Sequence, residues 1–201
     1  MNVNLIDKLK ENKIYPIIRN NDINKVFDTA KAIIDGGIDL IEIAVENPQI
    51  FDAIHELSSQ AIICAGGIIT SIQAQTAISA GAKIISSPIF QQHLVKISKN
   101  KLVPLIAGTS TANEVYNAWK SRIPVVKIYP ATALGGVDYI ENLLRPMPFL
   151  NVIPQGNVKL EDVRSYIDAG AVAVGIGRSL TNIETYSEIT QTVKSVLKDL
   201  G

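Results

Sequence analysis

The stretch Asp35-Gly36-Gly37-Ile38-Asp39-Leu40-Ile41-Glu42-Ile43-Ala44-Val45 contains the pattern that decides the fold of this chain. A helix that ends in glycine is followed at once by an apolar, β-branched run typical of a buried strand. The same helix end recurs at Gly81 and Gly170. Gly37 and Gly81 lie 44 residues apart (81 − 37), and Gly81 and Gly170 lie 89 apart (170 − 81). Two strand–helix units fit into each interval of 44 residues, although Arg122 interrupts the glycine pattern at the fifth helix end.

Strand and helix patterns alternate from one end of the chain to the other. The predicted strands are Ile14–Ile18, Leu40–Val45, Ala61–Ala65, Lys83–Ser86, Leu102–Ala107, Ile123–Ile128, Leu150–Pro154 and Ala171–Ile176. The predicted helices are Asp22–Asp35, Pro48–Ser58, Ser71–Ala80, Phe90–Lys99, Thr111–Lys120, Val137–Leu144, Lys159–Ala169 and Ile183–Leu200.

Eight alternating units predict one α/β domain, a (β/α)8 TIM barrel over residues 1–201. A doubly wound open sheet is the alternative fold. It normally carries a glycine-rich loop after the first strand, and Ile17-Ile18-Arg19-Asn20-Asn21 has no glycine. A short helix, Leu5–Lys10, precedes the first strand and is expected to plug the bottom of the barrel. Capping boxes that begin at Thr70 and Thr111 predict helix starts.

Composition and charge narrow the class of protein. The 19 basic and 19 acidic residues balance, so neither a nucleic-acid nor a membrane partner is predicted. Cys64 is the single cysteine, which excludes an intrachain disulfide and favours a reducing, cytoplasmic location. His55 and His93 have no Cys or His partner at ligand spacing, and no metal site is expected. The charged segment Met1–Asn12 lacks the apolar core of a signal peptide.

Lys127 lies inside the apolar run Pro124-Val125-Val126-Lys127-Ile128-Tyr129-Pro130. A buried amine is costly to keep charged, and a neutral amine can attack a carbonyl to form a Schiff base. Strand alternation places Glu42 opposite Ile41 and Ile43, and it places Lys127 opposite its two neighbours. Both polar side chains are therefore predicted to point into the barrel. A buried ion pair contributes little net stability, which favours a catalytic pair over a structural one.

Four motifs occur in order along almost the whole chain: Ile41-Glu42-Ile43, Ala65-Gly66-Gly67, Ser87-Pro88 and Lys127-Ile128-Tyr129-Pro130-Ala131. Together they resemble the 2-keto-3-deoxy-6-phosphogluconate and 4-hydroxy-2-oxoglutarate aldolase family. The segment from Glu42 to Gln49 is similar to the branch that cleaves 2-keto-3-deoxy-6-phosphogalactonate. The resemblance implies a class I aldolase, a lyase of carbohydrate metabolism that needs no metal or cofactor. It also implies a small keto acid substrate, pyruvate as a product and a homotrimer.

The resemblance also implies roles for individual residues. Lys127 would form the Schiff base, and Glu42 would act as the general acid/base. Tyr129 would pack beside the Schiff base. Gly66 and Pro88 would shape the wall around the pyruvyl end of the substrate.

Further substrate contacts are expected at the carboxyl ends of the strands. Arg19 ends the first strand and is predicted to bind the substrate carboxylate, with pairing to a surface acid as the alternative. A phosphate site is expected after strands seven and eight. Gly156 lies in the first of these loops, and Gly177, Arg178 and Ser179 lie in the second. Glycines there let backbone N–H groups approach an anion, while ordinary turn formation is the alternative.

Four positions depart from the family pattern and bear on the substrate more than on the reaction. Gly67 replaces a threonine, Asn157 replaces a second glycine, Glu46 lies near where one branch has an arginine, and Arg178 replaces a common serine. Arg178 can strengthen a phosphate site or fill it by pairing with Glu46. Two other classes remain open: a phosphate-binding barrel enzyme without a Schiff base, such as an epimerase or a thiamin-phosphate synthase, and a non-catalytic sugar-acid-binding relative.

Overall fold

The computed structural model describes residues 4–201, which form eight parallel strands and ten α-helices. The strands are β1 Ile14–Ile18, β2 Leu40–Ala44, β3 Ile62–Gly66, β4 Ile84–Ser87, β5 Leu105–Thr109, β6 Val125–Ile128, β7 Val152–Pro154 and β8 Val174–Ile176. The helices are α1 Leu5–Asn12, α2 Ile23–Asp35, α3 Ile50–Leu57, α4 Ser71–Ser79, α5 Gln92–Lys101, α6 Ala112–Lys120, α7 Gly136–Leu144, α8 Val163–Asp168, α9 Arg178–Thr181 and α10 Tyr186–Leu200.

The strands follow chain order around a barrel, and β1 pairs in parallel with both β2 and β8. Between β7 and β8 the contact is thinner. It consists of the isolated bridge Gln155–Gly175 and a 3.1 Å hydrogen bond from the Val172 N–H to the Val152 carbonyl. The predicted TIM barrel is thereby confirmed. The open-sheet alternative is wrong, because its strand order would reverse at a switch point.

The barrel has two apolar cores, one on the inner face of the strands and one on the outer face. The larger core lies between the outer strand faces and the helices, and it includes Ile41 and Ile43 of β2. The inner core is stacked in layers of four side chains from alternate strands, the arrangement expected of this fold. Leu5 and Leu9 of α1 belong to this inner core, as expected for a helix that plugs the bottom. Following the strand register, the lowest layer holds Leu40, Ile84, Val125 and Ala173, and the next holds Tyr15, Cys64, Ile106 and Ile153.

The helix ends complete the spacing that the sequence showed only in part. Gly37, Gly81 and Gly170 have φ of 107°, 108° and 101° after α2, α4 and α8. After α6 the equivalent residue is Arg122, with φ of 63°, and its N–H donates to the Trp119 carbonyl at 2.8 Å. The backbone turn is therefore the same, although an arginine there adopts a conformation that glycine reaches at lower cost.

Most differences between predicted and observed elements are at the ends. The predicted helix Lys159–Ala169 is a 3₁₀ turn, Leu160–Asp162, followed by the short α8. The four-residue helix α9 was not predicted, because one turn is too short to show periodicity. Both capping boxes form as predicted, with the side chains of Thr70 and Thr111 accepting from the third residue of their helices. Within residues 4–201, no helix has the length and apolar character that crossing a bilayer requires.

Candidate active site

A polar layer lies above the two apolar layers of the barrel interior. Within one layer, each side chain comes from the second strand along, two residues beyond the position that the register pairs with the previous side chain. The register then brings together Glu42 of β2, Ser86 of β4, Lys127 of β6 and Gly175 of β8. The layer is at the carboxyl ends of the strands, where TIM barrels hold their active sites.

Lys127 and Glu42 are in contact inside this layer. The Lys127 Nζ lies 3.5 Å from Glu42 Oε1, and the two side chains are only 4% and 3% exposed. The same Nζ donates a hydrogen bond of 2.7 Å to the Ser86 hydroxyl oxygen. Strand alternation therefore predicted the inward direction of both side chains correctly.

The second carboxylate oxygen of Glu42 makes this pair a poor stabilising device. Glu42 Oε2 is buried and accepts no hydrogen bond from the described residues. A buried ion pair offsets its desolvation cost only when the remaining lone pairs are satisfied. An unsatisfied buried acceptor costs about 1–3 kcal/mol, and more when it is charged. The arrangement is better suited to acting on a ligand than to holding the barrel together.

Two neutral polar groups lie in the layer below Glu42. Burial raises the pKa of the Tyr15 phenol well above its usual range, and the neighbouring Cys64 and Glu42 raise it further. Burial also raises the pKa of the Cys64 thiol well above its usual range, with the Glu42 carboxylate as the next contribution. Both groups therefore remain protonated at neutral pH, and a protonated phenol or thiol is a poor nucleophile.

The burial of Cys64 gives a direct test of this packing. We expect iodoacetamide at pH 8 to leave the folded protein unmodified, because the reactive thiolate is suppressed and the sulfur is inaccessible. Mass spectrometry should find one alkylated site after unfolding in guanidinium, since Cys64 is the single cysteine. Rapid, stoichiometric alkylation of the folded protein would contradict the buried position.

A cavity of about 460 Å³ opens beside the polar layer. Gly175 is the member of the polar layer that has no side chain, and it also lines this cavity. The cavity therefore meets the polar layer at Gly175. Ile17, whose strand neighbour is Glu42, lines it as well. Six residues predicted from the sequence to contact substrate come together here: Arg19, Tyr129, Gly156, Gly177, Arg178 and Ser179.

Gly66 and Pro88 lie near the pair but do not line this cavity. A Cβ on Gly66 would lie 2.5 Å from Glu42 Oε1, so glycine leaves space for the carboxylate. Pro88 packs against β5, where a Cβ on Gly108 would lie 2.0 Å from the Pro88 carbonyl oxygen. Gly108 is the strand neighbour of Lys127. Gly66 thus lies beside Glu42, and Pro88 lies beside the strand neighbour of Lys127.

The groups that the polar layer offers to a ligand are an amine, a carboxylate and a hydroxyl. In the part of the chain that the structure describes, no cluster of three or more His, Cys, Asp or Glu side chains is arranged to hold a metal ion.

Comparison with known families agrees with this geometry. The family model for the aldolases described as KDPG and KHG aldolase matches residues 5–195. The chain belongs to the KDPG and KHG aldolase family. The resemblance carried by the four sequence motifs is therefore confirmed, and the aldolases of this family are lyases.

Relatives in the family fall into both substrate branches. The 2-dehydro-3-deoxy-phosphogluconate aldolase of Haemophilus influenzae is 29% identical over 201 residues, covering 96% of this chain and 95% of the relative. The 2-dehydro-3-deoxy-6-phosphogalactonate aldolase of Escherichia coli is 28% identical over 154 residues, covering 74% and 75%. The crystal structure of KDPG aldolase from Legionella pneumophila, with pyruvate captured as a covalent carbinolamine, matches with a TM-score of 0.88, 22% identity and coverage of 98% and 99%. That structural likeness establishes the fold.

Two of the departures from the family pattern, Asn157 and Gly67, are at residues whose φ lies in the left-handed region. Gly156 and Asn157 have φ of 111° and 56°, and asparagine enters the left-handed region more readily than other side chains do. Asn157 Oδ1 also accepts a 3.2 Å hydrogen bond from Arg178. Gly67 has φ of 74°, which a threonine would adopt only with strain.

The pairing of Arg178 with Glu46, one of the two alternatives for Arg178, does not occur, and Glu46 pairs with Arg19 instead. Glu46 lies 3.5 Å from Arg19, whose side chain is 68% exposed. Arg178 does not fill the site by pairing with Glu46, because Asn157 is its hydrogen-bond partner. Arg19 thus has the surface-acid contact, while also lining the cavity.

Two residues of this site, Ser86 and Gln155, were not predicted from the sequence. Ser86 could have been found, because alternation along Ile84-Ile85-Ser86-Ser87 places it inside with Ile84. Gln155 gave no such signal, since β7 is only three residues long. Gln155 lines the cavity, and its buried Oε1 accepts no hydrogen bond from the described residues. Gln155 Oε1 is thus a buried acceptor at the cavity wall, and Glu42 Oε2 is a second one in the polar layer beside it.

Proposed function

We propose that this chain is a class I aldolase. It cleaves a 2-keto-3-deoxy-6-phospho sugar acid, or 4-hydroxy-2-oxoglutarate, to pyruvate and an aldehyde. The observation that carries the proposal is the buried Lys127 Nζ, 3.5 Å from Glu42 Oε1, at the carboxyl ends of the strands. Membership of the KDPG and KHG aldolase family supports it.

Lys127 is the proposed nucleophile. Its neutral amine condenses with the C2 carbonyl, takes up one proton and releases water, which leaves an iminium. The iminium draws the electrons of the C3–C4 bond, so that the bond breaks once a base removes the proton of the C4 hydroxyl. Glu42 is the proposed base, and it returns a proton to C3 before water releases pyruvate.

The remaining contacts are proposed from the lining of the cavity. Tyr129 follows Lys127 by two residues on the same strand face and lies at the cavity wall beside the iminium. Gly66 and Pro88 flank the pyruvyl end. Arg19 binds the substrate carboxylate. Its exposed ion pair with Glu46 contributes little free energy, so a substrate carboxylate can replace Glu46 as its partner.

The cavity end formed after β7 and β8 is the proposed phosphate subsite. Arg178 supplies the positive charge, and Gly156 and Gly177 leave backbone accessible to an anion. Ser179 donates its hydroxyl to the Val158 carbonyl, so its oxygen remains an acceptor until that bond breaks.

A retro-aldol screen tests the function directly. The purified protein is incubated with several 2-keto-3-deoxy acids, with and without a 6-phosphate, and pyruvate release is measured. We expect pyruvate from at least one of them and labelling of the protein by pyruvate plus borohydride. Absence of any adduct would favour a barrel enzyme without a Schiff base, or a sugar-acid-binding protein if these acids still raise the melting temperature.

Arg178→Ala tests the phosphate subsite. Because a charge-assisted hydrogen bond contributes about 1.5–3 kcal/mol, KM for a 6-phosphorylated substrate should rise roughly tenfold to a hundredfold. KM for 4-hydroxy-2-oxoglutarate should change little.

Arg145→Ala is the matched control, since Arg145 is exposed at the C-terminal end of α7, pairs with Glu141 and does not line the cavity. An equal rise for both substrates, or no advantage of phosphorylated substrates in the unmutated protein, would argue against the subsite. The chain would then be a short hydroxy-keto-acid aldolase.

Assembly and location stay predictions. The family resemblance implies a trimer, and the single cysteine favours the reducing cytoplasm. Sedimentation of the purified protein measures the first of these.

A further inference from the structure

We propose that Ser86 is a third catalytic residue, which holds the single N–H of the iminium so that Glu42 remains free to move protons. The inference rests on the proposed Schiff-base function. It starts from the polar layer, in which three successive even-numbered strands contribute Glu42, Ser86 and Lys127 around one point.

Among residues 4–201 the Lys127 amine has two polar side-chain partners, and the contact with Ser86 is the shorter one. Lys127 Nζ lies 2.7 Å from the Ser86 hydroxyl oxygen and 3.5 Å from Glu42 Oε1. Ser86 is completely buried, so water does not replace this bond. Thr109 fixes the strand itself by donating its hydroxyl to the Lys127 carbonyl at 3.1 Å. The amine is therefore held between a neutral acceptor, the Ser86 hydroxyl, and a charged acceptor, the Glu42 carboxylate.

Counting N–H groups shows why a neutral acceptor matters. The lysine ammonium has three N–H donors, enough for both Ser86 and Glu42. Condensation with a carbonyl and loss of water leave an iminium nitrogen with one N–H. Had Glu42 been the only acceptor, this N–H would bind Oε1 of the carboxylate that must take the C4 hydroxyl proton, and a hydrogen bond from the charged iminium would make that carboxylate a weaker base. Ser86, at the shorter distance, accepts it and leaves Glu42 available.

The neighbouring Ser87 provides a matched control. It is also completely buried, but it lies on the outer face of β4, opposite Ser86, and its hydroxyl oxygen accepts from the Ile89 N–H at 3.4 Å. Ser86→Ala and Ser87→Ala therefore remove the same group from adjacent positions of one strand. Thermal unfolding of both variants establishes that the barrel remains folded.

We expect Ser86→Ala to lower kcat for retro-aldol cleavage roughly tenfold to a hundredfold, the effect of losing a hydrogen bond to a charged group. KM should stay within about twofold, because Ser86 does not line the cavity. Exchange of the pyruvate methyl protons with D2O, which depends on Glu42, should fall with kcat. Borohydride labelling of Lys127 at saturating pyruvate should persist. Ser87→Ala should resemble the unmutated protein in all four measurements.

The outcomes separate this inference from the proposed function. If the unmutated protein is not labelled by pyruvate and borohydride, the Schiff-base function fails and the role of Ser86 fails with it. If the unmutated protein is labelled but Ser86→Ala matches Ser87→Ala in kcat and in exchange, the inference alone is wrong. A rise in KM at unchanged kcat would also overturn it, by making Ser86 a substrate-binding residue.

Discussion

Lys127→Met is expected to abolish both turnover and borohydride labelling with pyruvate, while the barrel stays folded. Methionine is unbranched and close to lysine in length, so it fills the buried site without a large change in volume. It has no amine, and therefore no iminium can form. Mass spectrometry of the borohydride-treated protein and a pyruvate-release assay measure the two effects, and circular dichroism checks the fold.

Two further lysine variants make this test specific. Lys127→Arg keeps a positive charge beside Glu42 but cannot form a Schiff base, so it should be as inactive as Lys127→Met with less loss of stability. Lys83→Met removes an exposed lysine just before β4 and should retain labelling and turnover. Full activity in Lys127→Met, or labelling at another lysine, would exclude the proposed mechanism.

Chain periodicity was sufficient to predict the barrel and the direction of its key side chains. Alternation of apolar residues fixes which strand face meets the helices, so Glu42 and Lys127 had to lie on the other face. The glycine spacing indicated the repeated unit even though Arg122 breaks it, because one backbone turn can be formed by different residues. Strand alternation is a local property, visible within about ten residues of sequence, whereas the glycine spacing is a repeat over 44 residues.

The partners of polar side chains could not be predicted in the same way. Arg178 meets Asn157, and Arg19 meets Glu46, because the loops at the carboxyl ends of different strands converge at the rim. Which rim residues touch depends on the tilt and register of the barrel, and no single segment encodes these. For Ser86 only part of the answer was local. Strand alternation gives its inward direction, but its contact with Lys127, 41 residues away, is set by the register.

Glu42→Gln should lower turnover by roughly a hundredfold to ten-thousandfold, the usual contribution of a positioned general acid/base. Glutamine keeps the shape of the side chain, so the space that Gly66 leaves beside it remains filled. Steady-state cleavage of the substrate found in the screen measures the effect. Labelling by pyruvate and borohydride should survive better than turnover, because the amine of Lys127 is still present.

Glu46→Gln is the control for this last variant, because it removes a carboxylate from the rim that contacts Arg19 rather than Lys127. Its effect should be confined to KM, whereas that of Glu42→Gln should appear in kcat. Equal turnover in Glu42→Gln and the unmutated protein would make Glu42 an ion-pair partner and nothing more. Glu42→Gln should then lower the unfolding temperature without lowering turnover, because it leaves the buried charge of Lys127 without its ion-pair partner.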